Sequence, residues 1–368
     1  MTAHCPVLPA RIGAGDVSVT SPAPRAAWRA VLAADPAALP TQSPEWTDWL
    51  CRTRGYTDAS RLYEFPGGRR LVLPLVARTA AGVPVTEESL PAGYGYGGAL
   101  VDGGVLSPQE AGAVLADLAR RPVLRASLTA DPRTAAAWVA AAPPGTTLVP
   151  ALAHVIDLDG GFDAVWSRFR AGVRRSVRQA EKRGLVIRTG EDPAAAGIFA
   201  ELNRRSVDRW AQMRGQPLWL ARLVERRRDR AGQLVGALAE LGPMAQVWAA
   251  ELDGEPVAAN AVLRCGTQTH GWMNAMDREL ARRTRAGTLL QSLAIEDACR
   301  LGARWFQLGE SDPGSGVAEF KEGFGGVPVE FSGLRIERLP VTAAERRLRA
   351  GLARVAALRQ QRNAGVGA

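Results

Sequence analysis

The stretch Ala245–Met273, AQVWAAELDGEPVAANAVLRCGTQTHGWM, decides the fold class. Two apolar runs, Ala245–Leu252 and Glu255–Arg264, flank Asp253-Gly254, a dipeptide suited to the positive φ angles of a two-residue hairpin turn. A third strand-type run, Thr267–Met273, follows Cys265-Gly266. Downstream, Gly287–Leu301 has helical spacing and Trp305–Leu308 is strand-like. Upstream, Phe162–Arg183 reads as a helix and Leu185–Thr189 as a strand. Two further helices cover Ala194–Arg214 and Leu218–Leu241, and a β-type segment near Val327–Ile336 closes the block. Strands and helices mixed in this way specify an α/β (α+β) chain.

The first half has a similar order. Ala26–Leu32 and Pro44–Arg54 look helical, the latter with Ser43 as N-cap and proline at the first helical position. Strand-type runs follow at Ser60–Phe65, Arg69–Val76 and Val83–Thr86, then a helix after Ser107-Pro108 that ends near Arg120. A strand at Val123–Leu128, a helix at Pro132–Ala142 and a strand near Thr147–Ile156 complete it. At 368 residues the chain has length for two cores. The expectation is two related domains, 1–150 and 151–340, each a mixed sheet flanked by helices. Residues 1–25 read as an irregular leader, and 341–368 as a basic helix docked on a domain.

Net charge is +9, which points to an anionic partner, or merely to an arginine-rich composition. Of 46 basic residues only Lys182 and Lys321 are lysine. Where arginine has displaced lysine so thoroughly, a surviving lysine marks a place that wants a compact ammonium rather than a planar fork. Cys5, Cys51, Cys265 and Cys299 stand far apart, and no two of His4, His154 and His270 have ligand spacing. Neither a metal site nor a disulfide framework is expected, which fits a reducing cytoplasm. No apolar run is long enough to span a bilayer. There is no GxSxG elbow for a serine hydrolase and no GxGxxG joining a strand directly to a helix for a nicotinamide enzyme.

Each lysine lies in a dense pattern. Along Phe162–Arg183, Trp166, Phe169, Val173, Val177 and Ala180 form one apolar stripe. Arg170, Arg174, Arg178 and Lys182 recur at i+4 as a cationic stripe, broadened by Arg175. Such a row suits tRNA or nucleotide phosphate, or is a solvated face. The second pattern is Leu308–Gly326, LGESDPGSGVAEFKEGFGG. Gly314, Ser315 and Gly316 offer backbone amides to an oxyanion. Lys321, between Phe320 and Phe324, is placed to stabilise developing negative charge. In the first half, Tyr94, Tyr96 and Gly97, with Trp272 from the second, are candidates for an acceptor site; a tight loop and core packing are the competing readings.

The segments FRAGVRRSVRQAEKRGLVI, ELDGEPVAANAVL, AGTLLQSLAIEDACRLGARWFQLGES and EFKEGFGG resemble, in that order, the Fem-type (FemA/FemB/FemX) branch of the GNAT-like acyltransferases. The likeness is firm over Gly160–Gly326 and weaker before it, at QSPEWTDWL and LPAGYGYGGAL. It implies two tandem GNAT-like domains. It also implies transfer of an aminoacyl group from aminoacyl-tRNA, or an acyl group from CoA, to a primary amine of a cell-wall precursor or natural product. Phe320 and Lys321 match the family's Phe-Lys pair, in which the lysine stabilises the tetrahedral oxyanion. Two departures stand out. Ala194–Leu241 is too short for the long coiled-coil arm of larger Fem enzymes, and Arg282–Gly287 lacks the glycine pattern of a CoA pyrophosphate loop. Candidates for the base are Glu310, Asp312, Glu319, Glu322 and His270. The donor is a substrate, so no permanently bound cofactor is expected. The alternatives are a CoA-dependent N-acyltransferase and a non-catalytic basic module for RNA, with possible peripheral membrane contact through the last helix.

Overall fold

The computed structural model describes residues 10–12, 17–190, 193–213 and 216–347. Strands from both halves meet in one eleven-stranded sheet. Its order runs Val186–Gly190, Ala245–Leu252, Glu255–Cys265, Gln268–Met276, Trp305–Glu310 and Thr147–Asp157. It then continues through Val327–Glu337, Arg125–Leu128, Val83–Ser89, Val76–Ala80 and Thr57–Asp58. The strand Thr147–Asp157 straddles residue 150 and pairs antiparallel with Trp305–Glu310 on one side and Val327–Glu337 on the other. A second sheet of five strands belongs to the first half: Ala10–Ile12, Val17–Thr20, Arg61–Glu64, Arg70–Leu73 and Leu100–Val101. The leader is therefore not irregular throughout, because Val17–Thr20 pairs with Arg61–Glu64 and turns Val17 and Val19 inward.

Local signals set many boundaries. Pro44–Arg54 is helical and Ser43 Oγ accepts a hydrogen bond from Trp46 N at 3.2 Å. Pro108–Arg120 starts at a Ser107/Glu110 capping box. Asp253 and Gly254 take φ values of 51° and 80° in the hairpin turn. Alternation then divides the core, as a two-residue period requires. Val247 and Ala249 face the Pro193–Met213 helix, whereas Trp248 and Ala250 join the core under Ala286–Arg300. The insertion between strands is three helices, Pro193–Met213, Leu218–Arg228 and Arg230–Leu241, not two, because Asp229 adopts φ 49° and ends one helix while capping the next. No long coiled-coil arm is present among them.

Phe162–Arg183 is not one helix either. It divides into Gly161–Arg168 and Ala171–Ala180, with Phe169 and Arg170 extended between them. Phe169 is only 1% exposed and its ring lies 5.0 Å from that of Phe324. Burying a phenylalanine contributes roughly 1.5–3 kcal/mol, more than the about 1 kcal/mol lost with a helical hydrogen bond. The break is also bridged: Arg174 Nη1 donates to the Ser167 carbonyl at 3.0 Å, and Arg170 N donates to Gly323 O at 2.8 Å. Residues 341–347 are helical, with Glu345 paired to Arg125 at 2.8 Å; the rest of the expected last helix lies outside the described residues. No helix among the described residues is long and apolar enough to cross a membrane.

Candidate active site

The site forms where the large sheet opens. Gln268–Met276 and Trp305–Glu310 run parallel but pair only over Gln268–His270 and Trp305–Gln307. Past that point each strand continues without the other. On its other side Trp305–Glu310 carries a bulge, since His154 pairs with Gly309 and Val155 with Gln307, leaving Leu308 over. Gly309, at φ 75°, accommodates the left-handed backbone such a bulge requires. The kink aims two carbonyls at one side chain. Lys321 Nζ donates to Gly309 O at 2.8 Å and to Glu310 O at 2.7 Å.

Lys321 comes from the helix Gly316–Gly323, whose N-cap Ser315 accepts a hydrogen bond from Ala318 N at 3.2 Å. The helix docks tightly, because a Cβ on Gly323 would lie 2.8 Å from Val173 Cγ2. Lys321 is 7% exposed. Burial lowers its pKa to about 8, opposed by the charge of Glu310. Burial in turn raises the Glu310 carboxyl above its ordinary range, with Lys321 pulling the other way. His270 is lowered to about 4, chiefly by burial and also by Lys321. His154, fully buried, is lowered for the same reasons, with Nδ1 3.2 Å from Ser311 Oγ and Nε2 3.8 Å from Glu322 Oε1. The mutual influence of these groups marks one electrostatic cluster.

The expected site residues separate into groups. Lys321 is at the opening, but Phe320 is 39% exposed and packs edge-on to Phe324 at 5.0 Å; the two carbonyls, rather than a ring, hold the ammonium. Gly314 turns the chain at φ 68° and Gly316 starts the helix. Tyr96 lies at the opening from the first half: its ring is 5.4 Å from His270 and 5.7 Å from Phe331, and its buried hydroxyl has no partner. Burial and the charge of Glu310 keep that hydroxyl protonated. Gly97 packs against Ser89, with its N–H given to Thr129 O at 2.7 Å and its carbonyl taken by Gln42. Tyr94 and Trp272 belong to an aromatic cluster with Trp46 and Trp49, in which Trp272 Nε1 donates to Gly93 O at 3.3 Å.

Of the cationic stripe, Arg170 pairs with Glu322 at 2.7 Å, one residue from Lys321. Arg174 serves the helix break. Arg175, Arg178 and Lys182 are exposed, and Lys182 sits in the turn after the helix rather than on it. Sequence reasoning missed His154 as a site residue, as well as the buried set in which Asp131 accepts from Arg133 Nη2 at 2.7 Å and from Gln307 Nε2 at 3.0 Å. His154 was visible only as one of three histidines; its place depends on pairing across the sheet. Among the described residues no group of His, Cys, Asp or Glu could hold a metal ion.

Beside the opening lies a groove of about 1040 Å³, lined in part by Glu310 and Ser311. A parallel strand pair parting beside a buried cation gives a slot for an extended acyl donor, and the groove gives room for a second substrate. The parting strands, the buried cation and the groove are an arrangement that suits acyl transfer. Residues 167–322 match the family described as an acetyltransferase (GNAT) domain. The whole fold is similar to folds already solved. It superposes on the crystal structure of FemX with a TM-score of 0.53 and 13% identity, covering 86% of this chain and 96% of that one. A conserved protein of unknown function from Bacteroides thetaiotaomicron gives a TM-score of 0.53 and 12% identity, covering 85% and 97%. No curated protein matches the sequence.

Proposed function

We propose that the chain transfers an aminoacyl group from aminoacyl-tRNA to a primary amine of a cell-wall precursor or natural-product intermediate. The observation that carries this reading is the Lys321 ammonium, buried and held by the Gly309 and Glu310 carbonyls where the strands part. Two of its three N–H bonds are used, which leaves one for an oxyanion. In a dry site such a donor acts strongly on charge that develops in the transition state.

The acceptor ammonium first loses a proton, and the Glu310 carboxylate is the base beside Lys321. The amine nitrogen then attacks the ester carbonyl carbon, and Lys321 stabilises the resulting oxyanion. Collapse breaks the carbonyl carbon–oxygen bond to the tRNA ribose, and the second amine proton goes to that oxygen. The products are an amide and free tRNA, with one proton released to solvent. Arg175, Arg178 and Lys182 are the cations available for the tRNA backbone.

The GNAT domain match favours a second reading, transfer from acyl-CoA. Against it, the place of a glycine-rich pyrophosphate loop is taken by the helix Arg278–Thr284 and by Arg285 at φ 62°. Incubation with labelled aminoacyl-tRNA or acyl-CoA and a panel of amines separates the two. RNase-sensitive amide formation is expected. RNase-resistant transfer that needs the CoA thioester would replace this reading with the second. Absence of transfer from both donors, together with tight RNA binding, would leave a non-catalytic module.

A further inference from the structure

The groove beside Glu310 is acidic, although the chain as a whole carries a net charge of +9. One wall is the helix Ala135–Ala140, presenting Ala136 and Val139, and its floor includes Leu152. Three carboxylates line it, Glu310, Asp312 and Glu330, and no lysine or arginine does. In a chain of charge +9 with 44 arginines, most acids have an arginine partner. None of these three is in an ion pair among the described residues, although Glu310 lies in the field of Lys321. Glu330 stands opposite Leu152 in the sheet, so a carboxylate and an apolar side chain share one stretch of floor. The Tyr96 hydroxyl is buried without a partner, feels the charge of Glu310, and its ring packs on Phe331 of the groove.

We propose that this groove is the acceptor site and that its occupant carries a primary ammonium on an apolar, phosphate-free body. The inference rests on the acyl-transfer reading, since it names the substrate class of the same site. Small side chains on the wall leave width for a chain or ring, and unpaired carboxylates attract a cation while repelling phosphate. Glu310 joins groove and opening, so an ammonium drawn along the acids arrives beside Lys321. A nucleotide-linked precursor would place its phosphates against the three carboxylates and is excluded by the same charges.

Calorimetry on the full chain, with no acyl donor present, tests this directly. The probes are 1,8-diaminooctane, its charge-reversed counterpart suberate, and UDP. The diamine is expected to bind saturably and the two anions not at all. Asp312→Asn combined with Glu330→Gln should weaken the diamine about tenfold, and Ala136→Trp, which fills the groove, should abolish its binding. Circular dichroism establishes that each variant is folded. The proposal is overturned if the diamine does not bind, or if it binds equally to all variants. It is also overturned if UDP or suberate binds and is displaced by Ala136→Trp. Because no donor is present, diamine binding without any later transfer would sink the aminoacyl reading alone. RNase-sensitive transfer onto a phosphorylated acceptor would sink this inference alone.

Discussion

Two segments of this molecule each hold one of its lysines, and they use it in opposite ways. Around Lys182 the chain is a short helix and a turn with Arg175, Arg178 and Lys182 all solvent-exposed. Around Lys321 the chain is a helix pressed against a bulged strand, and the ammonium is nearly out of water. In water, charges are additive and interchangeable, so any cation on that face will serve. In the buried segment the same charge acts on a single locus with far less screening, and shape decides which cation fits. The two segments touch at Arg170, which pairs with Glu322 next to Lys321 and so fixes the charged face relative to the site.

The sharpest way to break this contrast is to treat both lysines alike. Lys321→Met should cut kcat by about 10²–10³, as loss of an oxyanion donor does. Lys321→Arg should not rescue it, because a guanidinium fork does not fit between the Gly309 and Glu310 carbonyls. Single-turnover rates with saturating donor read this, and full activity in Lys321→Arg would refute the role.

A second difference is pH. In the proposed role the lysine acts as its ammonium, and burial lowers its pKa to about 8, so the chemical step should weaken as pH rises through about 8. Stability moves the other way. Folding lowers this pKa from the ordinary 10.5, so the buried ammonium costs stability below about pH 8 and the cost fades between about 8 and 10.5. The full difference is on the order of 3 kcal/mol. Unfolding midpoints of wild type and Lys321→Met, compared at pH 7 and 10, should converge or cross in favour of wild type.

On the exposed segment the effects are milder. Replacing Arg175, Arg178 and Lys182 together by alanine should raise KM for a tRNA donor and leave kcat nearly intact. The dependence of binding on log salt should flatten by about 0.7–0.9 for each phosphate that is no longer neutralised. A drop in kcat equal to that of Lys321→Met would contradict the division. Smallest of all, Lys182→Arg should be silent in both rate and stability, within about 0.5 kcal/mol.

The contrast between the segments also explains what could be read from the chain. The caps at Ser43 and Ser107 and the turn at Asp253-Gly254 are local chemistry, and the structure follows them. Phe162–Arg183 has helical periodicity throughout, yet Phe169 leaves the helix for a ring more than 150 residues away. That competition has no local signature. Lys321 was legible because lysine is scarce and its surroundings patterned. Its true holders, the carbonyls of a strand bulge, were not, since backbone groups leave no trace in residue identity. The acceptor candidates divide for the same reason: Tyr96 reaches the opening, while Gly97, Tyr94 and Trp272 answer to packing partners far along the chain.

The pairing of Arg125–Leu128 with Val327–Glu337 makes the two halves a single annealed ladder. Cutting the backbone at residue 145 would leave Arg125–Leu128 as a bare edge on one fragment and Val327–Glu337 as a bare edge on the other. Such edges are adhesive. The fragments should therefore recombine when mixed, and because the acidic groove is walled by one and floored by the other, amine transfer would return only with the mended seam.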